Sequence, residues 1–126
     1  MNLNQVTIYS SKSRETAEFY QKLGLKIIVD SLPRYARLEC PDGDATLSVH
    51  AADEDAPTAS NIVLYFECDD LDAQVAELKA RGLEFDEEPQ DQTWLWREAY
   101  LRDPAGNRVC LFHAGGNRKN PPWKVK

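Results

Sequence analysis

The chain has 126 residues, 42% hydrophobic and 29% charged, which suits one compact domain and excludes both a multidomain enzyme and a disordered chain. Lys and Arg number 15 against 21 Asp and Glu, a formal net charge of −6. The acids gather in runs such as Asp53-Glu54-Asp55 and Asp86-Glu87-Glu88, a surface that repels phosphate backbones, so nucleic acid is not an expected partner. No segment approaches the ~20 apolar residues of a membrane span, and Met1-Asn2-Leu3-Asn4-Gln5 lacks the regions of a signal peptide. The expected location is cytoplasmic, with no membrane partner. Cys40, Cys68 and Cys110 are an odd number without a Cys-x-x-Cys pair and read as reduced thiols.

In chain order, residues 5 to 9 alternate in the strand period, and Ser10-Ser11-Lys12-Ser13 offers capping hydroxyls to a helix whose apolar stripe is Thr16, Phe19, Tyr20 and Leu23. Gly24 ends that helix. Strands are predicted at Lys26 to Val29, at Tyr35 to Glu39 and, after an Asp42-Gly43 turn, at Ala45 to His50. Residues 51–60, loose and acidic, form the candidate linker, and the order then restarts. A strand at Asn61 to Glu67 precedes a helix capped by Asp69 or Asp70, with the stripe Leu71, Val75 and Leu78 and a stop at Gly82. Strands follow at Leu83 to Asp86, Trp94 to Arg102 and Arg108 to Phe112, the last two joined by the turn Asp103-Pro104-Ala105-Gly106-Asn107. The predicted class is α+β. Within a single domain over 1–126, module one (3–50), the linker (51–60) and module two (61–113) precede a tail (114–126), and each module is a βαβββ unit. The tail contains Pro121-Pro122-Trp123 and is expected to be ordered, with Trp123 as its anchor.

Sorting each strand by parity predicts the faces. One parity collects Val6 and Ile8, Ala36 and Leu38, Leu47 and Val49, Ile62, Leu64 and Phe66, Leu95, Ala99 and Leu101, and Val109 and Leu111, the expected helix-packed side. The other mixes Gln5, Tyr9, Tyr35, Arg37, Ser48 and His50 with Asn61, Tyr65, Glu67, Trp94, Trp96, Glu98, Tyr100, Arg102, Cys110 and Phe112. Polar and aromatic groups together suit a ligand cleft, where flat side chains supply area and a few polar groups fix orientation.

Three segments carry a family resemblance: Ala17-Glu18-Phe19-Tyr20-Gln21-Lys22-Leu23-Gly24-Leu25, Asp69-Asp70-Leu71-Asp72-Ala73-Gln74-Val75, and Leu101-Arg102-Asp103-Pro104-Ala105-Gly106-Asn107. With the duplicated βαβββ order, residues 3 to 113 resemble the vicinal oxygen chelate superfamily, which contains glyoxalase I, fosfomycin-resistance proteins, extradiol dioxygenases and bleomycin-resistance proteins. The resemblance implies two curved mixed sheets forming a concave cleft, built within one subunit or across two, and a homodimer. It also places metal ligands at the start of the first strand and on the last strand of each module. Those positions are Gln5, Ser48, Asn61 and Cys110 here. Only Gln5 is a ligand type that glyoxalase-like members use, so neither a divalent metal nor any other cofactor is expected.

His50, Glu67 and Glu98 are the catalytic candidates: an imidazole or carboxylate on this face can move a proton, while the alternative for each is an ordinary surface or edge residue. Arg37 and Arg102 can hold a carboxylate or pair with Glu39, Glu67 or Glu98. Tyr9, Arg37, Tyr65, Trp94, Trp96, Tyr100 and Phe112 are the expected ligand contacts. The favoured function is a metal-free small-molecule binder of the bleomycin-resistance type. The alternatives are a metal-dependent glyoxalase I-like lyase or isomerase and a non-catalytic interaction module.

Overall fold

Alternating apolar residues and glycine-stopped helices become two four-stranded sheets, each with one α-helix, in a computed structural model that describes residues 1–54 and 61–125. The chain divides into two compact units, the first Met1–Ser60 with Asp103–Asn107 and the second Asn61–Arg102 with Arg108–Lys126. Of the expected linker, residues 55–60 lie outside the described residues.

In the first unit β1 (Gln5–Ser10), α1 (Ser13–Leu23), β2 (Lys26–Ser31), β3 (Tyr35–Glu39) and β4 (Thr46–Ala51) give the order β1-β4-β3-β2, with β1 parallel to β4 and the other pairs antiparallel. The register stacks Val6, Leu47 and Leu38 in one row and Ile8, Val49 and Ala36 in the next. Those rows form the helix side, where α1 buries Ala17, Phe19, Tyr20 and Leu23 against β1, β3 and β4. The expected hydroxyl cap does not form, because the N-cap is Lys12, which makes no side-chain cap bond. Ser10 Oγ instead accepts the Lys12 N–H at 2.9 Å, and the Ser13 hydroxyl donates to the Pro33 carbonyl at 2.6 Å. A bulge between Ile27 and Val29 turns the β-branched side chains of Ile28 and Val29 outward.

The second unit repeats the plan. Here β5 (Val63–Glu67), α2 (Leu71–Ala80), β6 (Glu87–Asp91), β7 (Arg97–Arg102) and β8 (Arg108–His113) give the order β5-β8-β7-β6, again with one parallel pair, β5 and β8. Leu64, Val109 and Leu101 form one inner row and Phe66, Leu111 and Ala99 the other, facing Leu71, Val75 and Leu78 of α2. Asp70 caps α2, accepting the Ala73 N–H at 3.1 Å, as one of the two expected caps.

Both helices stop the same way. Gly24 (φ 122) and Gly82 (φ 94) donate to Gln21 and Lys79, while the next residues, Leu25 and Leu83, donate to Tyr20 and Leu78. This paired-bond stop needs the left-handed backbone that glycine adopts freely, and it brings an apolar residue back onto the last turn.

The strand expected over Leu83 to Asp86 does not form there: Leu83 is the buried closing residue of the α2 stop, and the strand lies later, at Glu87–Asp91. The strand expected from Trp94 begins only at Arg97, because Leu95 takes φ 68 in a turn closed by its N–H bond to Gln92 at 3.1 Å. Leu95 is therefore exposed and not on the helix side, and Ile62, which precedes β5, is exposed too.

The turn Asp103–Asn107 belongs to the first compact unit. There the buried Tyr20 hydroxyl donates to Asp103 Oδ2 at 2.6 Å, and Asp103 also accepts the Asn107 N–H at 2.8 Å. Burial, and then the charge and hydrogen bond of Asp103, push the Tyr20 phenol well above its usual value. After β8 the chain forms a short 3-10 helix, Gly115–Arg118, and Trp123 lies 59% exposed, so it is not an anchor within its own chain. No helix among the described residues is long and apolar enough to cross a membrane.

Candidate functional site

Each sheet has one face away from its helix, and the candidate residues are divided between these two outer faces. On the first sheet, cross-strand register places Tyr9 beside His50 and His50 beside Tyr35, with Ser48 beside Arg37. Gln5 Nε2 donates to the Val6 carbonyl at 3.1 Å and to Ser48 Oγ at 2.8 Å, while its carbonyl accepts the Thr46 hydroxyl. Ser48, fully buried, lies 2.6 Å from the Tyr35 hydroxyl, which also accepts from Arg37 Nε at 3.0 Å. The Ser48 bond holds the Tyr35 phenol below its usual value; burial works against this, and the bond and charge of Arg37 work with it.

His50 sits between two rings, 5.1 Å from Tyr9 and 6.2 Å from Tyr35 by centroid. Its Nδ1 lies 2.8 Å from the Ala51 carbonyl; a carbonyl only accepts, so Nδ1 is the donor there. Arg37 has no carboxylate partner among the described residues, so the ion-pair alternative of its two readings does not form there. Tyr35 lies on the face where strand parity puts it, and its bond to Ser48 is a role that parity does not give. Its position opposite His50 across the β3–β4 ladder was the available signal.

The outer face of the second sheet is aromatic. Trp96 stacks on Phe112 with centroids 4.6 Å apart and 16° between planes, and Tyr65 meets both edge-on at 6.0 and 5.7 Å. Phe112 forms a buried cluster with Cys110 and Ala114, against which Val63, Trp96 and Tyr100 pack. Arg108 lies over the Tyr100 ring at 4.4 Å. Glu98 is 3% exposed, and its two oxygens accept from the Trp94 indole at 3.1 Å and the Tyr100 hydroxyl at 3.0 Å. Burial first, then hydrogen bonding to Tyr65, Cys110 and Glu98, pushes the Tyr100 phenol up. Trp94, on the turn before β7, is tied to this face by the bond from its indole nitrogen to Glu98.

Two candidates turn out to have structural work. Glu67 Oε2 accepts the backbone N–H groups of Ala114 and Gly115 at 2.8 and 2.9 Å, which holds the start of the 3-10 helix, and its other oxygen lies 3.6 Å from Arg118. Arg102 pairs with Asp86 at 3.4 Å instead of with Glu39, Glu67 or Glu98. The acid that caps a later segment was invisible in the sequence, because the backbone groups it holds lie 47 and 48 residues away.

As a donor set, the four positions aligned with metal ligands suit a divalent ion poorly. Gln5 and Ser48 are neutral and bonded to one another, and Asn61 is an exposed amide. Burial pushes the Cys110 thiol up to about 12, so the thiolate a metal needs is disfavoured. Among the described residues no three His, Cys, Asp or Glu side chains gather in a metal-holding group.

Comparison with known proteins gives consistent results. The profile of the Glyoxalase/Bleomycin resistance protein/Dioxygenase superfamily matches residues 2–111. No curated protein matches significantly. Among solved structures, a glyoxalase/bleomycin resistance protein/dioxygenase from Nocardioides superposes with a TM-score of 0.79 at 21% identity, covering 100% of this chain and 90% of that one. A lactoylglutathione lyase from Agrobacterium tumefaciens gives 0.71 at 18% identity, covering 98% and 97%. These two show likeness of fold alone. A bleomycin-binding protein complexed with bleomycin gives 0.69 at 25% identity, covering 90% of this chain and 98% of that one.

Proposed function

The chain belongs to the Glyoxalase/Bleomycin resistance protein/Dioxygenase superfamily, and on that premise we propose that it binds a small organic molecule, without a metal, on the outer face of its second sheet. The observation that carries the reading is the Trp96–Phe112 stack with Tyr65 edge-on to both rings. A solvated sheet face does not need three large aromatic groups in contact, whereas a ligand gains area from them at little entropic cost. The bleomycin-binding relative supports the same class of activity, and the neutral, mutually bonded Gln5 and Ser48 with a protonated Cys110 thiol support the metal-free part. The terminal strands of each sheet, β1 and β2 in one and β5 and β6 in the other, leave backbone edges that a second copy can cover, which supports a homodimer.

The test is a thermal-shift screen of small molecules, bleomycin included, followed by titration calorimetry of the hits in wild type and Trp96→Ala. Truncation of a buried aromatic contact costs about 1–3 kcal/mol of binding. Hits that bind Trp96→Ala as tightly as wild type count against the site, and hits lost on chelation count against the metal-free part. Sedimentation at high concentration reporting only monomer overturns the dimer.

A further inference from the structure

Among the described residues, Glu98 is the one carboxylate buried on the aromatic face, and no cationic side chain pairs with it. Both of its hydrogen-bond donors, the Trp94 indole and the Tyr100 hydroxyl, are neutral. The arginines of the same unit face other groups: Arg81 pairs with Glu77, Arg97 with Asp72 and Asp91, Arg102 with Asp86 and Arg118 with Glu67, while Arg108 lies over the Tyr100 ring. A carboxylate withdrawn from water and held only by neutral donors keeps a strong attraction for a cation, because the low local dielectric strengthens whatever charge reaches it.

The neighbourhood is arranged to deliver one. Glu98 pairs in register with Phe112, and Trp96, which stacks on Phe112, lies two residues away, so the acid stands beside the aromatic group. Aromatic ring faces attract cations as well as apolar bodies. The cover is Trp94: 44% exposed, it spends its indole N–H on Glu98 Oε2 from a turn where Leu95 holds φ 68, a conformation that L-residues other than glycine adopt at a cost. A wide side chain that is half in water, bound by one hydrogen bond and mounted on a strained turn, is readily displaced.

We propose that Glu98 anchors an organic cation, an ammonium or amidinium group on an aromatic or apolar body, which takes the place of the Trp94 indole at Oε2 while the body lies against Tyr65, Trp96 and Phe112. This assignment rests on the small-molecule reading of the same face and adds the charge of the ligand.

Benzamidine and its neutral isostere benzamide are the probes, titrated into 15N-labelled protein at constant ionic strength and followed by the tryptophan indole resonances. The expected result is at least tenfold tighter binding of benzamidine, with the Trp94 indole resonance moving toward its unbonded position. Glu98→Gln, which keeps an acceptor for Trp94, should erase the preference and leave benzamide unchanged. Trp94→Phe, which removes the competing donor and leaves the acid in place, should tighten benzamidine several-fold and serves if Glu98→Gln does not fold. Equal binding of the two probes, lost in Trp96→Ala, overturns the cation site while the small-molecule reading stands. A benzamidine preference that survives Glu98→Gln, or no benzamidine binding by either wild type or Trp94→Phe, overturns it as well.

Discussion

The two units share their inner rows and part company on their outer ones. Val6, Leu47 and Leu38 correspond to Leu64, Val109 and Leu101, and Ile8, Val49 and Ala36 to Phe66, Leu111 and Ala99, apolar at every place. Alanine recurs in the same strand of each unit. On the outer side the equivalent rows are Thr7, Ser48 and Arg37 against Tyr65, Cys110 and Tyr100, and Tyr9, His50 and Tyr35 against Glu67, Phe112 and Glu98. One outer face is a hydrogen-bonded polar chain and the other an aromatic bed around an acid. Helix packing dictates volume on one side of each sheet, and nothing so general dictates the other, which is free to take up chemistry.

The largest expected effect tests whether the inner rows are equivalent. Leu38→Ala and Leu101→Ala, both fully buried at matching places, should each cost about 2–5 kcal/mol in denaturant unfolding. A cost in one and none in the other breaks the equivalence. Next, Tyr20→Phe deletes the donor to the buried Asp103 carboxylate of the first unit and should cost about 1–3 kcal/mol. A neutral result shows that the Asn107 bonds alone satisfy Asp103.

A smaller effect concerns alkali. The folded Cys110 thiol stands at about 12 against its usual 9.0, a raised value. Its contribution to stability is therefore complete below pH 9 and is lost as pH climbs from there toward about 12. Cys110→Ala should flatten that part of the stability profile, and an unchanged slope removes the assignment. The smallest effect is on Tyr35, whose phenol should ionise earlier than an ordinary tyrosine in an ultraviolet titration. Ser48→Ala should move that ionisation upward, because the Ser48 bond is the main cause of the lowering. No movement assigns the lowering to Arg37.

Much of the fold was legible because strand parity and glycine stops are local signals. The inner faces, both helices and the choice of Asp69 or Asp70 as cap follow from residues a few places apart. The errors came where one residue type serves two local purposes: Leu83 closes a helix with the same apolar side chain that would begin a strand, and Leu95 looks like an inward strand position until its turn is known. The site was legible as a face. What each residue does on that face was not, since Glu67 answers to Ala114 and Gly115, Glu98 to a tryptophan on a turn, and Ser48 to Gln5 and Tyr35 on neighbouring strands. Such roles depend on long-range register and on turns that composition does not encode.

The bond between Tyr20 and Asp103 spans 83 residues of chain. During synthesis, residues 1 to 60 leave the ribosome long before the acceptor of that buried hydroxyl exists. The first half of the repeat is thus discontinuous in the order in which it is made, and an excised fragment 1–60 lacks an interior group of its own unit. Two modules that look like independent copies on paper are therefore poor candidates for cutting apart at the linker, and any recombination that exchanges second halves must carry along a matching aspartate turn.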